Sequence, residues 1–203
     1  MEKFNIVAYG DSNTYGYSPS GLRYSNRYSV ILDRLLGENY QVFEEGVVGR
    51  TTIYDDERPG KKGIDSVNNE LSKYNKIDLL IIMLGTNDYK SKNAQNIYDL
   101  ENGINVFLNK IKGINNINKI LLVSPILLNE HIEGLDKEFS HNSYLLSTLA
   151  SNIYKNIALK NNLLFMDAKN YASAGEDGEH FTQDSHIIFG SALAKFIKEE
   201  VFN

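Results

Sequence analysis

The chain predicts an α/β fold, a three-layer α/β/α sandwich built on a doubly wound, five-stranded parallel sheet. Three observations carry this expectation. Short apolar runs alternate with longer amphipathic ones, the signature of repeated βα units. One run, from Asp78 through Leu-Leu-Ile-Ile-Met to Leu84, is almost continuously hydrophobic, as a central parallel strand covered on both faces must be. Small and polar residues gather at the trailing ends of the runs.

The elements follow in order. The six-residue, largely apolar run Phe4–Tyr9 reads as the first strand, and the stretch near Arg27–Leu36 as the helix that returns the chain. Tyr40–Glu44 is the second strand, Ile64–Tyr74 the next helix and Asp78–Leu84 the central strand. A helix near Ile97–Ile111 leads to the fourth strand, Lys119–Ser124, and a long one near Phe139–Lys160 to the fifth, Leu163–Asp167. The last helix is expected near Asp184–Val201, with Ile187, Ile188, Leu193, Ala194 and Ile197 towards the core. No repeat or linker divides the 203 residues, so 1–203 reads as one domain.

Composition limits the chemistry. At 42% hydrophobic and 23% charged, the chain is neither a disulfide scaffold nor disordered. It has no Cys, which removes thiolate nucleophiles, disulfides and thiolate metal sites, and only four His: His131, His141, His180 and His186. A net charge of -5, with no basic cluster denser than Lys61-Lys62, argues against nucleic acid as a partner. Phe4–Tyr9 is too short for a signal h-region and no window approaches the ~20 apolar residues of a membrane span. A soluble cytoplasmic protein is the expectation.

After the first strand comes Gly10-Asp11-Ser12-Asn13-Thr14; after the second, Glu45-Gly46-Val47-Val48-Gly49-Arg50-Thr51-Thr52; after the third, Gly85-Thr86-Asn87-Asp88. The fifth leads to Asp177-Gly178-Glu179-His180. In open α/β sheets ligands bind beyond the carboxyl ends of the strands, so these segments should converge on one site. A serine there needs a base, and a neutral imidazole needs a third group to fix its tautomer. Asp177 and His180, three apart, can supply both. Acyl transfer also needs donors aimed at the oxyanion; the N–H groups of Ser12 and Gly49 and the side-chain amide of Asn87 are available from three loops.

These blocks resemble those of the SGNH or GDSL-type hydrolases, named for a Ser, Gly, Asn and His, over residues 4 to about 190. The second block is similar to that of the arylesterase-like acylhydrolases. The resemblance implies a flavodoxin-like SGNH hydrolase fold and a carboxylic ester hydrolase needing no cofactor or metal. It implies Ser12 as nucleophile, His180 as base, Asp177 as its partner, and Ser12, Gly49 and Asn87 as the oxyanion hole. Three positions, one in the first block and two in the second, depart from the pattern. Asn13 stands where Leu usually follows the nucleophile, a change expected to alter packing more than chemistry. Glu44 stands where Asn often opens the second block, and Val48, before Gly49, should narrow or dry the acyl side.

Taken singly, each motif has a plainer reading as a turn or helix cap, and Gly46 or Gly49 as a glycine placed for its backbone. Their order at successive strand ends favours catalysis. His186 reads as a packing or capping residue, and His131 and His141 as solvated. A metal cluster of Asp11, Asp88, Asp177, Glu179, His180 and His186, serving a phosphoesterase, would leave Ser12 and Asn87 without a task. A non-enzymatic flavodoxin-like binding module lacks a Gly-rich phosphate loop. The expected substrate is an ester of a small acyl group such as acetyl, with a sugar or aryl alcohol; a lysophospholipase or thioesterase acting on longer chains is the alternative. Substrate contacts are expected from Asp11, Tyr15, Val48 and Arg50, with Tyr17, Tyr24 and Tyr54 as further candidates. The loops Tyr15–Asn26, Ile53–Gly63 and Leu127–Asp136 should shape the pocket. Related enzymes suggest a homo-oligomer.

Overall fold

A computed structural model describes residues 3–56 and 58–202 of the chain. Five strands, β1 (Phe4–Gly10), β2 (Tyr40–Gly46), β3 (Leu79–Met83), β4 (Ile120–Ser124) and β5 (Leu164–Asp167), form one sheet in the order β2-β1-β3-β4-β5. Every pairing is parallel. The order reverses at β1, which has β2 on one side and β3 on the other. The helices therefore divide between the faces: α2 (Tyr28–Leu36) and α7 (Gln183–Phe196) cover one, and α3 (Gly63–Leu71), α4 (Ile97–Ile111) and α6 (His141–Lys160) the other.

Strand periodicity feeds both layers. Val7 and Tyr9 of β1 and Leu80 and Ile82 of β3 enter the core beneath α3, α4 and α6. Their alternates Ile6, Ala8, Leu79 and Ile81 enter the core beneath α2 and α7. This explains why β3 reads as an unbroken apolar run: all five of its residues are buried.

The expected strands and long helices are present, with ends shifted by a few residues. Two short helices, α1 (Ser12–Tyr15) and α5 (Ile132–Leu135), have no counterpart in the periodicity, because four residues complete barely one turn. The final helix is α-helical only to Phe196 and continues as a π-helical turn over Ile197–Val201. Ile187 and Ile188, expected to face the core, are exposed on α7, whose buried stripe runs through Ser185, His186, Phe189, Gly190 and Leu193.

Arg50 corrects the sequence reading most clearly. Its side chain is fully buried and serves the fold: Nη1 donates to the carbonyls of Gly10, at 3.0 Å, and Glu45, while Nη2 meets Glu70 Oε1 at 2.6 Å. The guanidinium also lies 4.1 Å above the Tyr9 ring. It ties the ends of β1 and β2 to α3 and has no surface left for substrate.

Arg50→Met should therefore lower the unfolding free energy by roughly 3 kcal/mol in a urea titration, since two carbonyls and a largely buried carboxylate lose their donor. Unchanged stability would contradict the tie.

Candidate active site

The sheet register sets the geometry. Gly10 pairs with Gly46 on one side and with Met83 on the other, so the loops after β1, β2 and β3 leave from one row of the sheet. A side chain at Gly46 would bring Cβ within 2.3 Å of the Tyr15 nitrogen, so glycine there lets α1 settle directly over the end of β2.

Ser12 opens α1. Asp11 caps this helix, its Oδ1 accepting from Asn13 N at 2.9 Å. As the first helical residue, Ser12 has an N–H with no acceptor inside the helix. In the second loop Gly49 has φ +81°, a left-handed conformation costly for any other residue, and a Cβ there would also strike the Arg58 guanidinium. The third loop grips the second. Asn87 Nδ2 donates to the Arg50 carbonyl at 3.1 Å, and the fully buried Asp88 accepts from Thr52 N at 2.9 Å and Thr52 Oγ1 at 2.5 Å. One amide hydrogen of Asn87 is thereby used and the other is left for a ligand.

The fourth segment brings the imidazole. His180 Nδ1 lies 2.7 Å from Asp177 Oδ2, while Asp177 Oδ1 accepts from the backbone N–H groups of Glu179 and His180. The carboxylate thus orients both the ring and its own turn. With Nδ1 bonded to Asp177, the neutral ring carries its proton there and its lone pair on Nε2.

Ser12, Val48, Gly49, Asn87, Asp177 and His180 line one cavity of about 300 Å³. Tyr17, Pro19, Arg58, Lys90, Glu138 and Glu179 complete it. Tyr17 tilts against the His180 ring at 4.8 Å between centroids, and Lys90 Nζ meets Glu138 Oε2 at 2.6 Å. The remaining expected contacts lie elsewhere. Asp11 is buried beneath α1 as its cap, and Tyr15 lies under the Arg23 guanidinium at 4.2 Å. Tyr24 packs on His186, and Tyr54 donates to the Asp99 carbonyl at 3.0 Å. Of the three expected loops, the first contributes Tyr17 and Pro19 and the second Arg58. The third instead props the histidine segment, Asn129 N donating to the Gly178 carbonyl at 2.9 Å.

Two lining groups escaped the sequence reading: Lys90 and Glu138. Glu138 lies 48 residues from Lys90, and no spacing rule links them. Glu179 of the histidine block lines the cavity as its position beside His180 implies, and among the described residues no cluster of three or more acidic or histidine side chains could hold a metal ion. A larger cavity of about 580 Å³, between Ile111, Lys112, Ile117 and Leu164, opens at the amino-terminal ends of β4 and β5, the opposite edge of the sheet.

The electrostatics separate the histidines. Burial pulls the His180 imidazole down, but the Asp177 hydrogen bond and the charges of Glu179, Asp177 and Asp11 outweigh it and leave the pKa raised above 6.5. Burial would raise Asp177, yet its bonds from His180 hold it below the usual carboxylate value. Burial pushes Glu179 up to about 7 and Asp11 to about 6. His186 is fully buried, with Nδ1 accepting from Tyr28 N at 3.2 Å, and burial with the nearby Arg27 lowers it to about 3. His131 and His141 are exposed.

In an NMR titration the His180 ring should take up its proton above pH 6.5 and His186 should remain neutral down to about pH 3. Asp177→Asn should lower the His180 midpoint; an unmoved midpoint would contradict the role assigned to the 2.7 Å contact.

The GDSL-like lipase/acylhydrolase family model matches residues 8–186. Among solved structures, the Mycobacterium smegmatis (M. smegmatis) aryl esterase is 29% identical, superposes with a TM-score of 0.84 and is matched over 96% of this chain and 98% of its own. A carbohydrate acetylesterase from Sinorhizobium meliloti is also 29% identical, with a TM-score of 0.86 over 97% and 99%. The lipase/acylhydrolase from Enterococcus faecalis, at 20% identity and a TM-score of 0.70 over 96% and 95%, shares the fold. No curated protein sequence matches the chain. Among the described residues no helix is long and apolar enough to cross a membrane. With four loops converging on one cavity and the family model spanning all of them, the chain belongs to the GDSL-like lipase/acylhydrolase family of carboxylic ester hydrolases.

Proposed function

We propose that this enzyme cleaves esters of short acyl groups, acetyl foremost, through an acyl-enzyme on Ser12. The observation that carries the reading is the 2.7 Å contact of His180 Nδ1 with Asp177, in a cavity that also holds Ser12 and Asn87. Nε2 of His180 takes the hydroxyl proton as Ser12 Oγ bonds to the acyl carbon. The carbonyl oxygen gains the negative charge and is met by the N–H groups of Ser12 and Gly49 and the free amide hydrogen of Asn87. Collapse expels the alcohol, which takes the proton from His180. Water then gives its proton to the same nitrogen and attacks the acyl group, and the acid leaves as Ser12 recovers its hydrogen. Asp177 and Glu179 stabilise the imidazolium that exists between these transfers.

The cavity dimensions support a small acyl group. About 300 Å³ is at the lower end of small-molecule sites, and Val48 stands beside Gly49 where an acyl chain would start. The remaining wall, with Tyr17, Arg58, Lys90, Glu138 and Glu179, is rich in hydrogen-bonding groups and suits a hydroxylated alcohol such as a sugar. The likeness to a carbohydrate acetylesterase supports the same reading. The likeness to an aryl esterase, together with the Tyr17 ring beside His180, supports an aromatic alcohol as the second reading. The proposal extends to a cytoplasmic enzyme, as expected from the sequence, and to a homo-oligomer, as the family resemblance suggests.

Ser12→Ala should abolish hydrolysis, and Asn87→Ala should lower kcat by ~10²–10³, the usual loss for one oxyanion donor. Full activity in Ser12→Ala would overturn the mechanism. kcat/KM should fall as pH drops through the raised His180 pKa, because the imidazolium cannot accept a proton. Across a chain-length series of chromogenic esters run beside an acetylated sugar, kcat/KM should be highest for acetyl; a maximum at long chains would contradict the short-acyl reading.

A further inference from the structure

We propose that Asn13 is a positioning residue for His180, coupling the base to the nucleophile's turn. The inference rests on the reading of Ser12 as nucleophile and His180 as base. It starts from the buried carboxamide of Asn13, next to Ser12, whose two polar atoms reach a segment more than 160 residues away. Nδ2 donates to the Glu179 carbonyl at 3.1 Å, and Oδ1 accepts from the Phe181 N–H at 2.8 Å. These are the peptide groups that flank His180.

The other two backbone groups at His180 are also held. Its N–H donates to Asp177 Oδ1 at 3.0 Å and its carbonyl accepts from Gly175 N at 2.7 Å. His180 is therefore fixed at four points. The contacts from Asp177 and Gly175 arise within its own loop; those from Asn13 come from the helix that carries Ser12. A carboxamide is suited to this because it places one donor and one acceptor side by side on a short rigid group, pairing with an extended backbone as a neighbouring strand would. Leucine, the residue usual at this position in the family, would pack but would leave the Glu179 carbonyl and Phe181 N–H unpaired in this chain. Asn13 thus acts on the chemistry as well as on the packing.

Asn13 should govern the rate of proton transfer between Ser12 and His180 and leave substrate affinity alone, since it does not line the cavity. A displacement of about 1 Å in a reacting group costs up to ~10²-fold. With p-nitrophenyl acetate, Asn13→Ala should lower kcat at least 10-fold with KM within twofold of wild type. In a His180→Ala background the same change should cost nothing further, because the base it positions is gone.

Circular dichroism would first establish that each variant folds. Should Asn13→Ala unfold, Asn13→Asp replaces it: it retains the acceptor for Phe181 and sets an oxygen against the Glu179 carbonyl. Wild-type kcat in the folded variant would overturn the proposal, as would a raised KM at unchanged kcat or equal losses in both backgrounds. Wild-type activity in His180→Ala alone would overturn the underlying reading of the base, a result distinct from any of these.

Discussion

The structure depends on one row of the sheet in which Gly46, Gly10 and Met83 lie side by side. Parallel pairing on both sides of β1 sends three chain segments out of the same edge, and reversal of strand order at β1 separates their onward helices to opposite faces. A crevice opens where they part. The fully buried Arg50 then holds the row together from beneath, donating to the carbonyls at the ends of β1 and β2.

Two further sets of contacts convert the crevice into a site. The loops after β2 and β3 are joined by Asn87 to the Arg50 carbonyl and by Asp88 to Thr52. The turn after β1 and the histidine segment are joined by Asn13 to Glu179 and Phe181. Each tie is made within a motif that also carries a group proposed to handle the acyl carbon or its oxygen, and Asn87 does both. Apart from Asn87, tying and reacting groups are divided between adjacent positions: Asn13 beside Ser12, Asp88 beside Asn87, Arg50 beside Gly49.

That division explains what could be read from the sequence. The strands were legible because burial on both faces demands continuous apolar runs, and β1 and β4 fall within a residue of their expected ends. The four motif blocks were legible because strand ends in such a sheet must converge. Side-chain direction was not. Arg50 follows Gly49 in a loop and resembles a substrate contact, yet it turns inward onto Tyr9. Tyr15 and Tyr17 are equivalent in sequence, and only Tyr17 reaches the cavity. The pairing of Lys90 with Glu138 joins residues from distant loops, and no local periodicity could announce it. Asn13 looked like a packing change because its two partners lie at the other end of the chain.

The central claim is that the four segments together make Ser12 a nucleophile with His180 as its base. Reaction with a fluorophosphonate followed by peptide mass mapping tests it most directly. The account predicts one adduct, on the peptide at Ser12, forming more slowly as pH falls through the His180 pKa; an adduct on another residue, or none with the folded enzyme, would contradict it.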